Sequence, residues 1–67
     1  MKTIGRYTRK SDNALLVVRE YDDGSMKGMV YMCGKMKGSP DMSAWFLAKD
    51  KDNTVYRVKE YFGFLKS

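Results

Sequence analysis

Apolar and polar positions along this chain alternate in short runs, with no long stripe of helical period. Four polar turn signals punctuate it: Lys10-Ser11-Asp12-Asn13, Asp22-Asp23-Gly24-Ser25, the stretch from Gly34 to Asp41, and Asp50-Lys51-Asp52-Asn53. Between them lie five segments, Thr3–Arg9, Ala14–Tyr21, Met26–Cys33, Ser43–Lys49 and Thr54–Phe62, most of them rich in Val, Tyr, Thr or Phe. Short β-rich runs at this spacing predict strands. Ala14–Val18 is apolar at every position, which marks a strand covered on both faces and so a central one.

The second and third segments can be registered. Asp23-Gly24 at the centre of a two-residue type I′ turn predicts a hairpin. That register sets Glu20 opposite Lys27, Val18 opposite Met29, Val17 opposite Val30 and Leu16 opposite Tyr31. In the fifth segment, strand alternation puts Tyr56, Val58 and Phe62 on one side, interrupted by Glu60. Val55, Arg57, Lys59 and Tyr61 then share the other side.

The fourth segment supports two readings. Ser39-Pro40-Asp41 is a good helix start, followed by Met42, Trp45, Phe46 and Lys49 at helical spacing. Ser43–Lys49 also reads as the first strand of a second hairpin with Thr54–Tyr61. The expectation is an all-β fold, a small antiparallel five-stranded meander or partly open barrel. The alternative is α+β, with a short helix at 40–49.

Length bounds the rest. Sixty-seven residues make one small domain, 1–67, with little room for a catalytic cleft beside its core. The absence of His removes Ser-His and Cys-His nucleophile pairs, and one Cys, Cys33, makes neither an internal disulfide nor a Cys-based zinc site. The first residues, from Met1 to Arg6, hold no apolar leader core, and the longest apolar run is only Ala14–Val18. These features predict a cytoplasmic protein with no membrane segment.

Candidate ligand sites are weak. Met26, Met29, Met32, Met36 and Met42, with Cys33 among them, are soft donors that suit Cu(I). On a strand, however, Met26 and Met32 point away from Met29, so the set does not converge. Asp50, Asp52 and Asn53 resemble the start of a calcium loop, but the sixth and twelfth positions hold Val55 and Tyr61 where Gly and Glu are needed. The Gly-Lys-Met-Lys-Gly loop lacks the spacing of a phosphate-binding loop, and Cys33 near Lys35 lacks a general base. The expectation is a non-enzymatic protein with no cofactor and no metal.

What remains is charge interleaved with aromatic rings. Thirteen Lys plus Arg against eight Asp plus Glu give +5. Arg6, Tyr7, Arg9 and Lys10 form one cluster, Arg57, Lys59 and Tyr61 another, and Arg19 beside Tyr21 a third. Cations neutralise phosphates and exposed rings stack on bases. These residues predict a small binding module whose basic, aromatic sheet face contacts nucleic acid, single-stranded DNA or RNA. The alternative is a protein–protein interaction module, an adaptor or inhibitor docking on an acidic protein surface. A homodimer is compatible with either.

Overall fold

In the computed structural model, which describes residues 2–47 and 50–65, the segment Leu15–Glu20, which holds most of the apolar run, is the second strand of a four-stranded antiparallel sheet. The strands are β1 (Lys2–Thr8), β2 (Leu15–Glu20), β3 (Ser25–Tyr31) and β4 (Met42–Leu47), and they lie side by side in chain order. One helix, α1 (Lys51–Tyr61), crosses one face. β2 is internal, as its composition implies, with Leu16, Val17 and Val18 fully buried. The expected fifth strand is therefore corrected to a helix. The sheet is open rather than closed into a barrel, and the segment 42–47 is strand, so the helix sits after the 40–49 window rather than within it.

The helix forms where alternation suggested a strand because its buried positions also fit a helical stripe. Thr54, Val58 and Phe62 recur every four residues and are buried, while Tyr56, Arg57 and Tyr61 are exposed. Asp50 is the extended residue at its N-terminus, and the Thr54 hydroxyl donates to the Asp50 carbonyl at 2.7 Å. Asp52 in the first turn and Lys59 in the last both complement the helix dipole. The C-terminus closes in a Schellman arrangement. The Gly63 N–H donates to the Glu60 carbonyl at 3.1 Å, the Phe64 N–H donates to the Lys59 carbonyl at 2.7 Å, and Gly63 has φ +76°. Eleven residues are too few for an isolated helix to be stable in water, so docking on the sheet holds this one.

Docking depends on Gly28. A Cβ there would lie 2.6 Å from Val58 Cγ1 and 2.8 Å from Phe62 Cε2. Around that contact, Ala14, Leu16, Val18, Met26 and Val30 from the sheet side meet Val58, Phe62 and Phe64. Ile4, Tyr7, Ala44, Phe46 and Val55 close the rim of this core.

The central hairpin differs from the expected register by one residue. Its loop is Asp22-Asp23-Gly24, bounded by a Tyr21 N–H to Ser25 carbonyl bond of 2.9 Å. Gly24 takes the left-handed conformation at φ +87° and donates to the Tyr21 carbonyl at 3.0 Å. Asp23 Oδ1 accepts both the Ser25 N–H at 3.0 Å and the Ser25 hydroxyl at 2.6 Å. A three-residue loop ending in a left-handed glycine thus replaces the type I′ turn. Leu16 now faces Val30, Val17 faces Met29, Val18 faces Gly28 and Arg19 faces Lys27. The shift gathers Leu16, Val18, Met26 and Val30 under the helix and moves Lys27 away from Glu20. Glu20 instead meets Lys51 at 3.1 Å.

A polar clamp ties the first turn to the helix end. Arg9 donates from Nε and Nη2 to the two Asp12 carboxylate oxygens at 3.0 and 2.7 Å, and from Nη1 to the Phe62 carbonyl at 2.9 Å. Its guanidinium carbon also lies 4.9 Å from the centre of the Phe64 ring. The Arg9 hydrogen bonds, then the Ala14 N–H, hold the Asp12 carboxyl below its usual value of 3.8.

Two outcomes test this packing. Gly28→Ala should lower the urea midpoint by about 1–3 kcal/mol of stability, the usual cost of overpacking a core contact. An unchanged midpoint would show that α1 does not rest on Gly28. The Asp12 clamp should hold above the unfolded carboxyl value and be lost as pH falls through the lower folded value, because protonation removes the acceptor. Carboxyl NMR should place the Asp12 midpoint below 3.8, with the Phe64 ring signals shifting over the same range.

Candidate nucleic-acid interface

The helix covers one face of the sheet and leaves the other open. Alternation along each strand and the pairing across strands fix which residues share the open face. One row crosses all four strands as Thr3, Arg19, Lys27 and Trp45. The next row is Arg6, Val17, Met29 and Ser43. A third holds Thr8, Leu15 and Tyr31, and Ser25 with Leu47 completes the far end. Val17, Met29 and Tyr31 are buried and pack with Leu15 into a second small core. The accessible part of the face is therefore the end that carries Arg6, Arg19, Lys27 and Trp45.

The chemistry of that end is basic and aromatic. Trp45 is 59% exposed, with Lys27 Nζ 5.2 Å above its ring centre. Tyr21 lies against Trp45 with ring centres 5.0 Å apart, tilted by 51°. Such cation and ring contacts hold the indole in place while more than half of its surface stays exposed. Arg19 and Lys27 are direct cross-strand neighbours on this face. None of the open-face strand positions in these rows is a carboxylate; Glu20, next to Arg19, is on the helix side with Met26 and meets Lys51, and Asp22 and Asp23 belong to the hairpin loop.

The residues selected from sequence divide among several places. Arg6 and Arg19 lie on the open face, as a sheet-face reading requires. Tyr7 is on the helix side, half-buried, with Lys59 Nζ 4.4 Å from its ring centre. Arg9 is engaged in the Asp12–Phe62 clamp, and Lys10 is exposed in the first turn. Arg57, Lys59 and Tyr61 do not form the expected row. On α1, Arg57 and Tyr61 are one turn apart and exposed, whereas Lys59 turns towards Tyr7 and is half-buried. Tyr61 stands edge-on to Phe46 and Phe62, with ring centres 5.6 and 4.9 Å away.

Lys27 and Trp45 are additions from the structure. The two-residue turn placed Lys27 against Glu20, which hid it, and Trp45 lay in the segment with two readings. A three-residue loop read from Asp22-Asp23-Gly24 would have put Lys27 beside Arg19. The methionines spread apart: Met26 is in the helix-side core, Met29 in the opposite core, and Met42 is exposed. Among the described residues, no group of three or more His, Cys, Asp or Glu could hold a metal ion, and no helix is long and apolar enough to cross a membrane. The chain matches no known family profile, no curated protein and no solved structure.

Trp45 is the single tryptophan, so its emission reports this face directly. Cations around it concentrate anions. Iodide should therefore quench Trp45 more effectively than caesium at low salt, and Lys27→Glu should narrow that difference. Equal quenching by both ions in the wild type would show that the face carries no net positive potential.

Proposed function

We propose that this protein is a non-enzymatic binding module that holds single-stranded nucleic acid on the open face of its sheet. The observation that carries this reading is the row Arg19–Lys27–Trp45, with Arg6 in the next row, on a face whose strand positions include no acid. The cations neutralise the phosphate backbone and set the position of the strand. Trp45, steadied by Tyr21, offers a stacking surface that accepts any base. Arg57 lies on α1, outside the strand rows that make this contact.

Fluorescence anisotropy with short DNA and RNA strands, at two salt concentrations, tests the reading. Binding should quench Trp45. Arg6→Ala and Lys27→Ala should weaken binding to every sequence alike, each making the log–log salt slope shallower by about 0.7 for a lost phosphate contact. Trp45→Ala should cost about 1–3 kcal/mol of binding. Arg57→Ala should leave affinity within about 0.5 kcal/mol, the range of a neutral surface change. No binding at low salt by the wild type would overturn the proposal and leave a protein partner as the reading to pursue.

A further inference from the structure

The accessible end of the open face is bounded along the strands in both directions. Towards the central hairpin loop it meets Asp23, whose carboxyl accepts the Ser25 hydroxyl and the Ser25 N–H. These two bonds hold that carboxyl below its usual value of 3.8, so it is ionised at neutral pH. In the other direction the face meets Val17, Met29 and Tyr31, which are buried and carry no cation. A polyanion laid along the strands would therefore run from a carboxylate loop onto an uncharged cluster. The cations are arranged the other way. On this face Lys27 stands on β3, Arg19 on β2 and Arg6 on β1, one to each strand, with Trp45 on β4. Neighbouring strands lie about 4.8 Å apart, so the set spans roughly 14 Å across the sheet.

From this arrangement we infer that the bound nucleic-acid strand crosses the four β-strands instead of following them, in a site of about four nucleotides. One base stacks on Trp45, and the phosphates that link the nucleotides fall on Lys27, Arg19 and Arg6 in turn. The inference rests on the nucleic-acid reading of this face and adds its direction and length. Lys27 comes first because its Nζ lies 5.2 Å from the indole centre, so a base on Trp45 brings its own phosphate to that ammonium. Arg19 is the direct cross-strand neighbour of Lys27 and takes the next phosphate. Arg6 is one strand further over and one row further along, about 7 Å, which suits a backbone that has left the ring and is extended. The strand is thus held by a base at one end and by its backbone alone at the other. Trp45, with Tyr21 beside it, is the aromatic end of the lane, so any preference for a base is confined to one nucleotide.

Oligothymidylates of increasing length, titrated into the full chain at ~0.1 M salt and read by Trp45 emission, measure the site. Affinity should climb about fivefold per added nucleotide up to about four, the counterion release of one phosphate each, and then only in proportion to the number of registers. Methylphosphonate linkages, which carry no charge, locate the path. In the tetranucleotide, neutralising the linkage at either end should weaken binding about fivefold. Arg6→Ala should add no further loss once the linkage at one end is neutral, and Lys27→Ala none once the linkage at the opposite end is neutral. Both variants should keep the circular dichroism of the wild type, and Arg6→Lys and Lys27→Arg, which keep the charge, should keep the sensitivity to their own linkage. Affinity that goes on climbing steeply well past about four nucleotides, or Arg6 and Lys27 coupling to the same linkage, would overturn the transverse path while binding itself persists. No binding at any length would remove the functional reading, and this path with it.

Discussion

The close approach of Val58 and Phe62 to the backbone at Gly28 is the contact on which the arrangement turns. An eleven-residue helix has little stability of its own, and a small sheet has one face to bury. Removing one side chain from the centre of β3 lets each meet the other. Val58 then sits on the sheet rather than above it, and the side chains around Gly28 close into a core. Bulk at this position would raise the helix, and Leu16, Val18, Met26 and Val30 would lose their cover.

Choosing one face for the helix also decides where the polar residues go. Because alternation is strict, the strand residues not under α1 point to the opposite side, and these include Arg6, Arg19, Lys27 and Trp45. The central hairpin loop sets that division. With Asp22-Asp23-Gly24 as a three-residue loop, the apolar members of β2 and β3 fall in phase with each other. Their two cations fall in phase too, which is how Arg19 comes to lie beside Lys27. The charged face is thus a geometric product of the same register that builds the core.

Much of this was legible in the residues. The central place of Ala14–Val18 followed from its unbroken apolar run, whereas Ser43–Lys49 read as strand and also, after Ser39-Pro40-Asp41, as helix, and the strand is Met42–Leu47. The left-handed turn glycine was legible as well, since Asp23-Gly24 admits few conformations. The loop length was not, because two- and three-residue loops use the same residue types and differ by one step in register. The helix was missed for a comparable reason. Thr54, Val55, Tyr56 and Val58 favour strands by composition, and the short stripe Thr54, Val58, Phe62 competed with a plausible alternation. The signal that separates them is Gly63 followed by apolar Phe64, a helix-ending pattern whose weight appears only once the segment before it is read as helical. At the candidate site, Arg6 and Arg19 share the open face, but alternation alone did not say which side of the first segment turns inward. Arg57, Lys59 and Tyr61 were grouped by a strand period that the segment does not have.

The hydrogen bond from Arg9 Nη1 to the Phe62 carbonyl joins residues 53 positions apart. Closing so long a loop costs chain entropy that the β2–β3 hairpin, with a three-residue connection, largely avoids. The fold therefore divides into a locally connected meander and a distant helix that latches onto it. Its order of assembly is expected to follow that division, with the hairpins forming early and the latch last. The same ordering runs in reverse in the native state. Exchange of the Phe64 N–H, bonded to the Lys59 carbonyl, should report an opening of the helix end at lower free energy than global unfolding, with the β2–β3 amides still protected. The latch makes the integrity of the C-terminal turn depend on a loop read near the beginning of the chain.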